Sequence, residues 1–308
     1  MTLFDRAVSL ALPAIPRPIV GYFSRRYIAG PTVEHALRVV RALASEGAMA
    51  TLDILGEFIS TPEEARENTR AYERLVQRIR ADGLKEANIS VKLTALGLAV
   101  DPALCLDNLR ELMRVVVAAD SFVRVDMEDS SCTSGTLDVY RRLRAEFPGR
   151  IGVVLQARLR RTLDDVDALC AEPSNFRLCK GIYLEPRRLA FTDAEIIRRN
   201  FTLILERMLE HGAYVGIATH DELLVWEALR LLRRHGLTRE RYEFQMLLGV
   251  DEELRRILIE AGHRLRVYVP FGDQWYPYSV RRLRENPQLA GYAFKALFQR
   301  PRVPTPAK

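Results

Sequence analysis

The stretch "IGVVLQARLRRTLDDVDALCAEPSNFRLCKG", Ile151 to Gly181, decides the fold. Residues 151–157, "IGVVLQA", are a short, nearly continuous apolar run, as expected for a strand covered on both faces. Residues 164–172, "DDVDALCAE", begin with acids and continue at helical spacing. Residues 176–181, "FRLCKG", return to strand. A strand, a crossover helix and a second strand make the unit from which parallel sheets are built.

The same unit repeats along the chain. Strands are predicted at 48–56, 88–96, 122–128, 151–157, 176–181, 214–219, 242–249 and 266–271. Helical patterns lie between them. "TPEEARENTRAYERLVQRIRADG" opens on a Thr cap with an acidic first turn and ends at Gly83. "DPALCLDNLRELMRVVVAAD" opens on Asp101-Pro102, a cap followed by a proline in the first turn. "TDAEIIRRNFTLILERMLEHG" follows the same logic, "HDELLVWEALRLLRRHG" offers Asp221 as cap and a glycine stop, and "DEELRRILIEAGH" is the last before strand eight.

Eight alternating strands favour an α/β fold of the (βα)8 TIM-barrel type over an open doubly wound sheet. No G-x-G-x-x-G turn follows strand one, which weighs against a dinucleotide-binding sheet. The expected organisation is an N-terminal helical segment over 1–46, a barrel over 47–300 and a tail over 301–308, with a final helix placed after strand eight at the barrel mouth.

Composition narrows the function. The chain has 308 residues, 48% hydrophobic and 28% charged, enough apolar material for a large core. Its 46 basic against 40 acidic residues give a net charge of +6, but the excess is scattered, with no basic stripe interleaved with aromatics. This argues against nucleic-acid binding and leaves affinity for small anions open. The four cysteines, Cys105, Cys132, Cys170 and Cys179, show neither C-x-x-C pairing nor zinc spacing and read as buried free thiols of a reducing compartment. No apolar run approaches the ~20 residues of a membrane span. The expected location is the cytoplasm, with at most a peripheral contact at the inner face of the membrane.

Barrel sites form at the C-terminal ends of the strands. The polar residues there are Lys92 and Thr94, Asp126 and Glu128, Gln156, Arg177 and Lys180, Thr219 and His220, Gln245, and Tyr268. Lys92, inside the apolar "SVKLTAL", needs a partner if buried, and Asp126 on the neighbouring strand is the expected one. Such a pair can equally be a purely structural ion pair. Thr219-His220, taken alone, reads as a satisfied core histidine rather than a site residue. Asp126 and Glu128 are compatible with a divalent cation, but five histidines and no H-x-H or H-E-x-x-H make no metal the preferred reading.

After strand eight, "YPYSVRRLREN" places Tyr278, Arg281, Arg282 and Glu285 on one helical stripe. The pattern suits an ordinary solvated face. At a barrel mouth it also suits a fork of guanidinium donors gripping a carboxylate or phosphate.

The motifs "SVKLTAL", "VRVDMEDS", "VVLQA", "FRLCKGIYLEP", "IATHD", "YEFQMLLG" and "VPFGDQWYPYSVRRLREN", in this order over about residues 45–300, resemble the proline dehydrogenase family in its single-function bacterial form. The resemblance implies a distorted (βα)8 barrel with non-covalently held FAD. It implies oxidation of L-proline to Δ1-pyrroline-5-carboxylate by hydride transfer to flavin N5, electrons leaving to a quinone, and product passing to pyrroline-5-carboxylate dehydrogenase. By the same resemblance, Arg281 and Arg282 bind the substrate carboxylate, with Lys92 beside it and Glu285 as ion-pair partner. Tyr268 and Tyr278 are aromatic walls and Leu247 an apolar contact. Asp126 is the acid at the barrel centre, Arg177 lies near flavin N5, and Met127, Gln156, Lys180, Gly181, Ile182, Thr219 and His220 complete the flavin set. Arg158 and Ile182 depart from the family pattern, where an aromatic and an alanine are expected. Two other readings keep the same cationic mouth: an aldolase with Lys92 as Schiff base, and a non-catalytic binder of small anions.

Overall fold

The computed structural model describes residues 24, 26–56, 59–276, 278 and 279. A helix, α1 (Val33–Ser45), precedes the first strand. Strands β1 (Met49–Ile54), β2 (Ala87–Val91), β3 (Val123–Val125), β4 (Ile151–Gln156), β5 (Asn175–Cys179), β6 (Tyr214–Ala218), β7 (Tyr242–Leu247) and β8 (Leu265–Phe271) then alternate with helices. These are α2 (Pro62–Ala81), α3 (Pro102–Ala118), α4 (Thr133–Glu146), α5 (Thr162–Leu169), α6 (Ala194–Glu210), α7 (Glu222–Arg234) and α8 (Glu252–Glu260). The strands are all parallel and follow chain order around a closed barrel, sealed where β1 pairs with β8 from Met49↔Arg266 to Ile54↔Phe271. Of the expected N-terminal helical segment over 1–46, residues 1–23 and 25 lie outside the described residues.

Local chemistry fixes the helix starts. Thr61 and Glu64 form a reciprocal cap on α2, with Glu64 N donating to Thr61 Oγ1 at 3.2 Å and Thr61 N donating to the Glu64 carboxylate at 3.1 Å. Asp101 accepts from Ala103 N at 2.8 Å at the start of α3, where Pro102 has no N–H that needs an acceptor. Asp221 departs from expectation. It occupies the cap position of α7 but makes no side-chain cap bond, because its carboxylate is held by Lys180 at 3.0 Å and Arg198 at 2.7 Å.

Two predicted strands end early. The chain leaves β2 at Val91 and winds into a 3-10 turn over Thr94–Leu96, and β3 stops at Val125. Lys92, Thr94, Asp126 and Glu128 therefore sit on the turns at the barrel mouth. Among the cysteines only Cys105 is fully buried; Cys132, Cys170 and Cys179 sit at element ends and are half-covered.

Alternation sorts the strand residues into two sets. Leu52, Ile89, Val91, Val125, Val153, Phe176, Leu178, Ile217, Phe244, Val267 and Val269 are all buried in the main hydrophobic core with residues of the helices, such as Tyr72, Leu109, Tyr140 and Phe201. Many of the intervening positions, which face the barrel axis, are polar, among them Asp53, Ser90, Arg124, Gln156, Arg177, Glu243, Gln245 and Arg266, where branched apolar layers are usual in this architecture. At the level of Arg266, Glu243 accepts from Arg266 Nε at 2.8 Å, Tyr214 Oη at 2.9 Å and Gln245 Nε2 at 2.5 Å. Arg266 also donates to the Ala50 and Glu86 carbonyls at 2.8 and 3.0 Å.

Burial would push the Glu243 carboxyl up, but the charge and hydrogen bonds of Arg266, with the charge of Arg124 and the Gln245 amide, outweigh it and hold the group at about 2, against an ordinary 4.5. The unfolded chain thus binds the proton first. The stabilisation is complete above pH 4.5 and is lost as pH falls toward 2, at about 1.4 kcal/mol per pH unit. Urea unfolding between pH 7 and 3.5 should show Glu243→Gln strongly destabilised at neutral pH, with the gap to the parent protein narrowing below pH 4.5. A gap constant across that range would show that folding does not shift the Glu243 carboxyl, and a gap widening as pH falls would show that it is neutral in the folded state.

Candidate active site at the barrel mouth

Above this layer a continuous polar chain crosses the mouth. Lys92 Nζ donates to Asp53 Oδ2 at 2.6 Å, and both side chains are almost fully buried. Tyr72 Oη donates to the other Asp53 oxygen at 3.2 Å. Lys92 Nζ also reaches Tyr268 Oη at 3.4 Å, and Tyr268 donates onward to Asp126 Oδ2 at 3.2 Å. Asp126 Oδ1 receives Ser90 Oγ at 2.6 Å and Arg177 Nη1 at 2.7 Å. The Arg177 guanidinium lies over the Tyr268 ring, 5.4 Å from its centroid. Burial, with the charges of Asp126 and Asp53, pushes the Tyr268 phenol well above its ordinary range, so it remains a donor.

This geometry corrects one expectation. Lys92 pairs with Asp53 of β1, while Asp126 takes the guanidinium of Arg177. Strand β2 has two neighbours in a closed barrel, and the partner comes from β1 rather than β3. Asp53 was missed by the reading of strand ends, although the lone acid in "ATLDILG" carries the same signal as Lys92 in "SVKLTAL". Burial pushes the Asp53 carboxyl up; Lys92 pulls it back and the charge of Asp126 pushes it further up.

Asp126 and Glu128 diverge. Glu128 turns to the β2 side, accepting from Thr94 N at 3.0 Å and from the Thr94 hydroxyl. The Gln156 amide donates to the Met127 and Glu128 carbonyls at 3.0 and 2.9 Å, leaving its own Oε1 buried without a hydrogen bond. Gly181 faces that oxygen. Its φ of 93° is costly for a residue with a Cβ, and a Cβ there would stand 2.8 Å from Gln156 Oε1 and 2.9 Å from Arg158 Cγ. Arg158 donates to the Tyr183 carbonyl, fastening the loop that carries Lys180, Gly181 and Ile182. Ile182 is half-buried in that loop.

On the far side, Thr219 accepts from Asp221 N at 3.1 Å, and His220 Nε2 accepts from Leu247 N at 2.9 Å. An amide donor at Nε2 requires a neutral ring with its proton on Nδ1. His220 thereby ties the end of β6 to Leu247. Tyr278 is buried against Ile28 and Leu55, and Ser24 donates to Ser279 at 2.6 Å, so Ser24 and Ile28 brace the start of the segment after β8. Arg281, Arg282 and Glu285 lie outside the described residues. Every other expected site residue stands on the C-terminal side of the barrel.

The sequence family agrees with this mouth. The family model described as proline dehydrogenase matches residues 36–292. The chain belongs to the proline dehydrogenase family. Proline dehydrogenase 1 of Bacillus subtilis (strain 168) is 35% identical over 277 residues, covering 90% of this chain and 91% of the relative. Proline dehydrogenase of Deinococcus radiodurans is 34% identical over 280 residues, covering 90% of each. Among solved structures, proline utilization A (PutA) from Bdellovibrio bacteriovorus inactivated by N-propargylglycine superposes with a TM-score of 0.80 at 27% identity. That match covers 85% of this chain and 32% of PutA, so the chain spans about a third of that relative. Membership of the proline dehydrogenase family makes the chain an oxidoreductase of proline catabolism on a barrel scaffold. No helix among the described residues is long and apolar enough to cross a membrane.

Proposed function

We propose that the chain is an FAD-dependent proline dehydrogenase that oxidises L-proline to Δ1-pyrroline-5-carboxylate, with residues 47–300 as the flavin-binding catalytic barrel, 1–46 as an N-terminal segment and 301–308 as a tail. The observation that carries the reading is Arg177. It is buried, spends Nε and Nη1 within the barrel, and keeps Nη2 as a buried donor without a hydrogen bond. Leaving such a donor unmade costs about 1–3 kcal/mol, a cost that a bound acceptor removes. Gln156 Oε1 is a second buried atom without a partner, an acceptor facing the space that Gly181 leaves by having no Cβ. A flavin ring, with acceptor and donor edges, fits both.

In this reading Met127, Gln156, Arg177, Lys180, Gly181, Ile182, Thr219 and His220 hold FAD. When bound, FAD supplies the hydride acceptor at N5. The protein does the rest. Arg281 and Arg282 grip the proline carboxylate with Lys92 beside it and Glu285 as the ion-pair partner of Lys92, and Leu247, Tyr268 and Tyr278 enclose the ring. Hydride leaves the carbon beside nitrogen only from the neutral amine, and the positive charge of Lys92 and the arginines favours loss of the ammonium proton. Asp126 holds Arg177 in place at 2.7 Å, and Arg177 offers positive charge where negative charge grows. Electrons then leave to a quinone at the inner face of the membrane, and the product passes to pyrroline-5-carboxylate dehydrogenase.

The test is a visible spectrum. The protein loaded with FAD should be yellow and should bleach on anaerobic addition of L-proline. Protein that takes up FAD but stays oxidised with proline would overturn the reading, and borohydride trapping of a carbonyl substrate on Lys92 would replace it with aldolase chemistry.

A further inference from the structure

Three groups decide which nitrogen Arg177 has to spare. Asp126 and Ser90 take Nη1, at 2.7 and 3.3 Å, and Gln245 Oε1 takes Nε at 2.5 Å. Gln245 is itself held from below. A glutamine amide has two ends of equal size, and only its oxygen can accept from Arg177. The Glu243 carboxylate can only accept, so the Gln245 nitrogen, 2.5 Å from Glu243 Oε1, must face it and the oxygen must face Arg177. Arg266 and Tyr214 fasten Glu243 in turn. Gly216 on β6 is the register partner of Glu243, and a Cβ there would collide with the Gln245 amide nitrogen. The strand is thus bare where the amide lies.

We infer that Gln245 is a positioning residue for the reaction: oriented by Glu243, it holds Arg177 Nε so that Nη2 is the donor left for the bound cofactor. This inference rests on the proposed flavin site and adds a residue that acts through Arg177.

The test begins with the protein free of cofactor. In nitrogen-15 spectra, the Nε–H signal of Arg177, identified by its loss in Arg177→Lys, should exchange slowly with solvent. In Gln245→Leu it should exchange at least tenfold faster. In the FAD-loaded protein, Gln245→Leu should slow flavin reduction at saturating proline about tenfold while leaving KM within about twofold. It should also lower the flavin midpoint potential, by about 30 mV for each tenfold loss of preference for the reduced state. Gln245→Glu keeps an acceptor oxygen on Arg177 and, protonated on the other oxygen, still donates to Glu243; it should retain most of the rate. In an Arg177→Met background, Gln245→Leu should change nothing further. If Gln245→Leu fails to fold, Gln245→Asn, one methylene short of both partners, carries the same expectation.

Unchanged exchange and unchanged potential in a folded Gln245 variant would overturn the inference, as would an equal loss in the Arg177→Met background. A parent protein that is never bleached by proline would instead overturn the functional reading, and the exchange measurement would still report whether Gln245 holds Arg177.

Discussion

Lys92→Met is expected to destabilise the protein by about 3–5 kcal/mol at pH 8 and by less at pH 5.5. Lys92 and Asp53 are 2.6 Å apart, with side-chain exposures of 8% and 0%, so removing the ammonium strands a carboxylate in the barrel. The Tyr72 hydroxyl remains on Asp53 at 3.2 Å, but a neutral donor does not replace a charge. Asp53 already has its carboxyl pushed up by burial, and without Lys92 it takes a proton. The folded state of the variant then binds a proton that the unfolded chain releases above 3.8, so its stability falls as pH rises toward the folded-state value. Asp53→Asn combined with Lys92→Met removes both charges and should recover most of the loss at pH 8. Urea unfolding of the parent protein and the two variants at the two pH values checks this. A cost below 1 kcal/mol at both would mean that the pair is solvated and that Lys92 is held by something other than Asp53.

The barrel was legible because its outward strand residues are an unbroken apolar series. In "LRVYVPF" the outward set is Leu265, Val267 and Val269 and the inward set Arg266, Tyr268 and Pro270, so the polar lining shows as punctuation within apolar runs. Reading those interruptions as a site located Lys92, Asp126, Gln156, Arg177 and Tyr268 on the mouth. What the pattern does not contain is pairing across the barrel. Asp53 and Lys92 lie 39 residues apart, and Arg177 and Gln245 lie 68 apart; only closure brings them together. Helix α4 went unread for a local reason. It opens on Thr133-Ser134-Gly135-Thr136 with no side-chain cap, so neither propensity nor capping marks its start, and it is held by burial of Leu137, Tyr140 and Leu143. Strand β3 has only three residues, and the alternation through Asp126 and Glu128 extends strand-like spacing into a turn. The FAD and proline assignments came from the resemblance of motifs, not from this physics.

Arg177→Met should leave a folded protein whose flavin proline reduces 10²–10³-fold more slowly, equivalent to about 2.7–4 kcal/mol of lost stabilisation. Methionine keeps much of the arginine stem's bulk, but removes the guanidinium over the Tyr268 ring and the donors to Asp126, Ser90 and Gln245 together with the buried Nη2. Asp126 retains two donors, Ser90 at 2.6 Å and Tyr268 at 3.2 Å, and is 13% exposed where Asp53 is 0%, so solvent and two hydroxyls share its charge and it is less stranded than Asp53 in Lys92→Met. The cost should therefore fall mainly on the reaction. Arg177→Lys separates charge from geometry: a single ammonium restores positive charge at the mouth but cannot serve Gln245, Asp126 and the cofactor from one rigid fork. It should recover part of the rate, no more than about tenfold over the methionine variant. Anaerobic stopped-flow reduction at saturating proline, with thermal unfolding of the same samples, separates loss of chemistry from loss of fold. If both variants reduce within fivefold of the parent rate, the charge that matters at the mouth lies elsewhere, and Arg177 is a structural strut between β5, β7 and the turn after β3.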